Sequence, residues 1–224
     1  MKREDSKKLK EKEKSLEKAI KLLAKEKGYK SIMGFPYKII DGFLYTALIS
    51  TSLRDYVYEK RSKSPFYPEL YIYIQTKPLI LDEIFWKVFG MYEEAKKQPE
   101  SFHVKGAFTA SGATIDHFYQ DFFEEENQEN VAEIVLENIS LLIEKSRETI
   151  FDLDTFETFI KEYPNQELNK ILISIIKKDY SKAENMINYC IKNDISGGFM
   201  SGDNWKSIIE YAKEYINTCE NASS

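Results

Sequence analysis

The dipeptide Asp41-Gly42 sits between two apolar runs rich in aromatic and β-branched residues, Tyr37–Ile40 and Phe43–Leu53. Asp-Gly accepts the positive φ angles of a type I′ turn, whose twist matches that of paired strands, so the two runs are predicted to form a β-hairpin. An antiparallel sheet therefore starts early in the chain. A third strand is expected at Leu70–Thr76, where Leu70, Ile72 and Ile74 alternate with Tyr71, Tyr73 and Gln75. Both of its faces are largely apolar, which suits a central strand with helices on one side and aromatic rings on the other. Phe102, Val104 and Phe108 alternate with His103, Lys105 and Thr109, predicting a fourth strand that ends in the Ser111-Gly112 turn.

Around these strands the apolar period becomes helical. Leu9, Leu16, Ile20 and Leu23 predict an amphipathic helix from about Ser6 to Lys27, closed by Gly28. Asp82 is expected to cap a short helix through Ile84, Phe85, Val88 and Phe89, ending near Gly90. From Asp116 onward the pattern reads as helical to the end. Asp154 with Glu157 predicts one capping box and Ser181 with Glu184 another, while Asp203 is expected to open a last helix that buries Trp205, Ile208, Ile209, Ala212 and Ile216. The expected fold class is α+β: a four-stranded antiparallel sheet packed with helices, followed by a helical C-terminal region. The composition shift near Ile150 divides a sheet-containing part, 1–150, from a helical part, 151–224, and leaves open whether they share one core.

Charge is unevenly distributed. The first thirty residues carry 12 Lys and Arg against 6 acids, so +6 there leaves −11 on the remainder of a chain whose net charge is −5. Between Lys105 and Lys145 there is no Lys or Arg, while Asp116, Asp121, Glu124, Glu125, Glu126, Glu129, Glu133, Glu137 and Glu144 all fall there. Such a field repels nucleic-acid phosphate and attracts a basic protein. The alternative is a solvated helix face. Nucleic acid is not the expected partner of the basic first helix either, because Glu11, Glu13 and Glu17 interleave with its lysines. The longest uncharged run, Gly42–Leu53, is too short to cross a bilayer, and no apolar stretch follows the early lysines as in a secretory signal, so a cytoplasmic location without membrane contact is expected.

Chemistry-bearing motifs are sparse. The two histidines, His103 and His117, belong to no metal-ligand spacing, and neither paired CxxC nor HExxH occurs, so no metal or cofactor is expected. Cys190 and Cys219 fall on apolar helix faces, where a thiolate is disfavoured, and Ser111 lacks the strand-to-helix elbow of a serine nucleophile. No catalytic residue is assigned. Two segments suit binding: the connection from Arg54 to Pro68, carrying Tyr56, Tyr58, Phe66 and Tyr67 among cationic residues, and the acidic stretch with Asp121, Glu124, Glu125 and Glu126. The aromatic residues also suit packing back over an open sheet face.

The lysine-rich helix ending in Gly28-Tyr29-Lys30, the hairpin at Asp41-Gly42 and the strand Glu69–Gln75 together resemble a group of uncharacterised bacterial α+β proteins encoded beside polymorphic toxins. The resemblance covers element order over about residues 9–110 and includes no catalytic motif. It implies an immunity-like protein-binding module that acts by steric and electrostatic occlusion of a partner. The alternative is a small enzyme whose site is assembled from dispersed polar residues near His103 or His117.

Overall fold

The computed structural model describes residues 3–55, 66–104, 108–121, 127–201 and 205–221. The fold is α+β, an antiparallel sheet packed with helices and a helical C-terminal region. The sheet has five strands in the order β1 (Lys30–Ile32), β2 (Phe35–Ile40), β3 (Phe43–Asp55), β4 (Phe66–Pro78) and β5 (Ala113–Asp121). The helices are α1 (Arg3–Glu26), α2 (Ile80–Phe89), α3 (Tyr92–Ala95), α4 (Gln128–Arg147), α5 (Leu153–Ile160), α6 (Glu167–Ile176), α7 (Tyr180–Lys192) and α8 (Ile208–Asn221), with a short 3-10 helix at Glu100–His103. Contacts divide the chain into two compact units, each made of separated segments: Met1–Ile40, Tyr45–Thr76 and Thr114–Glu148 in one, Asp41–Leu44, Lys77–Ala113 and Thr149–Ser224 in the other.

In the first unit α1 buries Leu16, Ile20 and Ala24, spaced so that they share one face, and packs against α4, which buries Val131, Val135, Leu136 and Ile139. Gly28 ends α1 with φ +77°, its N–H donating to the Lys25 carbonyl and that of Tyr29 to the Ala24 carbonyl. These are the two bonds of a Schellman cap. The Ser140 hydroxyl donates to the Leu136 carbonyl, so the Tyr29 hydroxyl, 2.9 Å away, is the donor that ties the end of α1 to α4. Burial pushes the Tyr29 pKa up.

Two hairpin turns among the described residues have positive φ at their two central residues, Asp41 (50°) with Gly42 (79°) and Met33 (51°) with Gly34 (85°). The first matches the expected turn. The second pairs Lys30 with Tyr37 and Ile32 with Phe35, adding a strand that the sequence reading omitted because methionine is a poor marker of a left-handed turn residue.

The fourth strand is displaced from its expected place. Phe102 and His103 lie in the 3-10 helix that follows Pro99, with Phe102 against Trp86 at 5.7 Å between ring centroids and His103 drawn to Asp82. Contacts made at long range override the local alternation. The strand forms instead at Ala113–Asp121, where Asp116 had suggested a helix start; β-branched and aromatic residues, Thr114, Ile115, Phe118 and Tyr119, pair there with β4. The connection expected from Arg54 to Pro68 is correspondingly shorter, since β3 runs to Asp55 and β4 begins at Phe66.

In the second unit α2 buries Leu81, Ile84, Phe85 and Val88 and ends at Gly90 in the left-handed region, as expected. Asp82 is no cap; it lies inside the first turn, fully buried. Phe85, Phe89, Phe108, Phe199 and Tyr211 form a cluster of ring contacts in which Phe89 meets each of the other four, with contacting centroids 4.8–6.5 Å apart. The helix starts are corrected in register. Asp152 with Thr155 makes the capping box of α5, and Asp179 caps α7 by accepting from the Lys182 N–H. Glu157 instead accepts from Lys177 and Lys182, both at 2.6 Å. Ser207 and Glu210 box the start of α8, the Ser207 N–H donating to Glu210 Oε2 at 2.7 Å. Because α8 starts at Ile208, Trp205 lies before it, with φ 54° and 76% of its surface exposed. Ile208, Ile209, Ala212 and Ile216 are buried as expected; Trp205 is not. Cys190 is buried, which pushes its thiol pKa up, and Cys219 is half-buried.

Two substitutions test this packing. Ile209→Asp puts an unpaired charge at a fully buried position and should cost about 3–5 kcal/mol in urea unfolding. Gly197 has φ +75°, and a Cβ there would sit 2.8 Å from Ile208 Cγ2, so Gly197→Ala should cost about 1 kcal/mol or more. An unfolding midpoint equal to that of the unsubstituted chain in either case would contradict the packing of α8.

Candidate interaction face and a buried polar hub

Alternation along β4 sends Leu70, Ile72 and Ile74 into the core and Tyr71, Tyr73 and Gln75 to the opposite, half-exposed face. The rings of β5 join them. Tyr119, 53% exposed, stacks on Tyr71 with centroids 4.5 Å apart and planes 26° apart, and exposed His117 lies 5.7 Å from Tyr71 and 6.3 Å from Tyr73. Tyr73 meets Tyr71 edge-on at 4.0 Å. Gln75 Nε2 donates to Thr114 Oγ1 at 3.4 Å. The contacts run oppositely in the two strands, so β4 and β5 are antiparallel. Hydrogen bonding to the Tyr73 hydroxyl, with partial desolvation and the Tyr119 hydroxyl adding to it, holds the Tyr71 phenol well above its ordinary pKa. The face presents polar hydroxyls and π surfaces together.

Of the residues singled out by sequence, Tyr56, Tyr58, Glu124, Glu125 and Glu126 lie outside the described residues. Phe66 and Tyr67 belong to β4 itself, not to a connection, and Asp121 ends β5. Antiparallel pairing carries the Phe66–Tyr67 end of β4 toward the Asp121 end of β5. His117 is a strand residue here, not one at a helix start. The sequence signal for this face was the Tyr71/Tyr73 alternation; what concealed it was the missed strand at Ala113–Asp121.

A second cluster, entirely within the other unit, was not anticipated. Lys77 Nζ donates to Asp82 Oδ1 and to the Ala110 carbonyl, each at 2.8 Å, and the Ala110 N–H donates to the same Oδ1 at 2.7 Å. His103 Nδ1 lies 2.7 Å from Asp82 Oδ2, and a carboxylate can only accept, so Nδ1 carries the proton and Nε2 the lone pair in the neutral ring. Asp82 is fully buried and Lys77 nearly so, while the His103 side chain is 17% exposed beside Trp86, whose Nε1 donates to the Phe108 carbonyl at 2.7 Å. Burial lowers the Lys77 pKa, and the Asp82 charge works against that shift. The available sequence signal was a lysine and an aspartate flanking the apolar run Pro78–Leu81, too unspecific to read as a pair.

A cavity of about 350 Å³ in the first unit is lined by Leu16, Ile20, Phe35, Ile49 and Leu70, with Glu17 as its carboxylate and Ser50 as its hydroxyl. This lining holds no paired acid and base. Among the described residues no group of three or more His, Cys, Asp or Glu side chains could hold a metal, and no helix is long and apolar enough to cross a membrane.

Removing one partner of the hub leaves an uncompensated buried charge, so Lys77→Met should cost about 3–5 kcal/mol in denaturant unfolding at neutral pH. The pH dependence has a definite sign. With the folded Lys77 pKa below its ordinary 10.5, the unfolded chain binds the proton more tightly, and this group's contribution to stability rises with pH between those two values. That rise should be missing from Lys77→Met; a variant retaining it would show that Lys77 is not its source.

No protein-family model, curated protein or solved structure matches this chain.

Proposed function

We propose that this chain is a protein-binding module, immunity-like in its mode, that occludes a basic partner through the open face of β4 and β5. The observation that carries the reading is the cluster of Tyr71, Tyr73, His117 and Tyr119, half-exposed or exposed on the face opposite Leu70, Ile72 and Ile74. Tyrosine rings combine a large contact area with little conformational entropy to lose, and their π faces attract lysine and arginine. The sequence that continues from β5 adds negative charge without a single cation from 106 to 144, which suits electrostatic steering of a basic surface. A second reading, acid–base catalysis at His103, is favoured by one observation: Asp82 fixes the imidazole tautomer and leaves Nε2 as the basic nitrogen. The three donors on Asp82 equally satisfy a structural hub, and for that reason binding is the preferred function.

The test uses polylysine and polyglutamate of equal length as probes, with association followed by surface capture at low and moderate salt. Polylysine alone should bind, with an association rate that falls as salt rises. Tyr71→Ala with Tyr119→Ala should shorten the lifetime of the complex, and reversing Glu124, Glu125 and Glu126 to lysine should slow association and flatten its salt dependence with little change in melting temperature. Equal capture by the charge-reversed and unaltered proteins at low salt, where the screening length is about 30 Å at 0.01 M, would contradict this reading.

A further inference from the structure

The order of strands leaves β5 as an edge, and this edge is nine residues long. At the other side of the sheet the edge strand β1 has three residues, a length that offers little to a pairing chain. A long edge ordinarily exposes a row of unpaired N–H and C=O groups, and among the described residues no loop or helix backbone is bonded to Ile115 or His117. The His117 N–H instead donates to Asp116 Oδ1 at 2.8 Å. In an antiparallel strand successive residues alternate in which side they bond, and with its hydrogen taken by a side-chain carboxylate the His117 amide is assigned to the open side and not to the ladder with β4. Asp116 thus occupies an edge donor with its own carboxylate.

Resting on the reading of a basic partner given above, we propose that the partner is taken as an added strand: an extended, lysine- or arginine-bearing segment that pairs along the outer edge of β5 at Ile115 and His117. Asp116 couples charge to pairing. A cation on the incoming strand draws the Asp116 carboxylate into an ion pair and releases the His117 N–H to bond the incoming backbone. A strand without a cation must displace the carboxylate with no compensating charge. Affinity then comes from main-chain bonds and selectivity from charge, the division of labour general to strand addition. In the free protein the same contact blunts the edge against pairing between copies of the chain.

The experiment measures binding of three nine-residue peptides in which valine alternates with lysine, serine or glutamate, by isothermal titration with the full chain. The lysine peptide should bind most tightly and the glutamate peptide least. The lysine peptide is then N-methylated on one alternate set of amides or on the other. One set should weaken binding about tenfold or more, as expected for several lost main-chain bonds at about threefold or more each, and the other much less. His117→Pro removes the outward N–H without touching the ladder to β4, and should bind at least about tenfold more weakly than His117→Ala. Asp116→Asn keeps an acceptor but not the charge, and should narrow the preference for lysine over serine. Equal binding by both N-methylated forms and the parent peptide would overturn strand addition while leaving the basic-partner reading intact, and those peptides test the unaltered protein even where His117→Pro fails to fold. No preference for lysine over glutamate, or no binding of any peptide, would overturn both.

Discussion

The pairing of β4 with β5 is the constraint on which the rest of the first unit's surface depends. β4 has an apolar side, Leu70, Ile72 and Ile74, with at most 1% of each residue exposed, and a period of two leaves Tyr71 and Tyr73 no place except the other side. Once β5 lies alongside, Tyr119 and His117 fall on the same side and ring contacts lock the two strands in register. A one-residue slip would bury the tyrosine hydroxyls and expose the isoleucines, so the aromatic face and the core are specified together. The same pairing carries the Asp121 end of β5 toward the Phe66–Tyr67 end of β4.

The second unit is organised around a different problem, a buried charge. Asp82 interrupts the apolar face of α2 and would be prohibitively costly alone. It accepts from Lys77, from the Ala110 backbone and from His103, which gathers the end of β4, the start of α2, the 3-10 helix and Ala110 around one carboxylate. Such a network contributes more to a unique arrangement than to net stability, because hydrophobic replacements of the whole group cost little while removal of one member costs much. It also explains why Phe102 and His103 do not join a strand: both gain partners on α2 that pairing in a sheet would forfeit.

What the sequence showed was what short-range chemistry decides. The Asp41-Gly42 turn, the Gly28 cap, the alternation at Leu70–Thr76 and the apolar stripe of α8 are local signals, and the structure contains each of them. What it concealed was decided by partners remote in sequence. Asp116 reads as a helix start until β4 is present to pair with it, and Trp205 joins an apolar stripe only if α8 is assumed to begin at Asp203 and not at the Ser207–Glu210 box. The candidate site suffered most, because the tyrosines of β4 were read as cover for the sheet and the other half of the face, on β5, was assigned to a helix. The predicted binding residues Phe66, Tyr67 and Asp121 nonetheless fall on the two strands that build it.

Hydrogen exchange at the His117 amide, read by NMR with and without the lysine-bearing strand peptide, tests the central claim most directly. In the free protein the amide is held by the Asp116 carboxylate on an edge strand and should exchange fast. On binding, protection should rise at His117 and Ile115 together, with the Tyr71 and Tyr119 ring resonances shifting. Unchanged exchange at both amides under saturating peptide, with shifts centred instead on His103 and Trp86, would contradict the account and place recognition at the Asp82 hub.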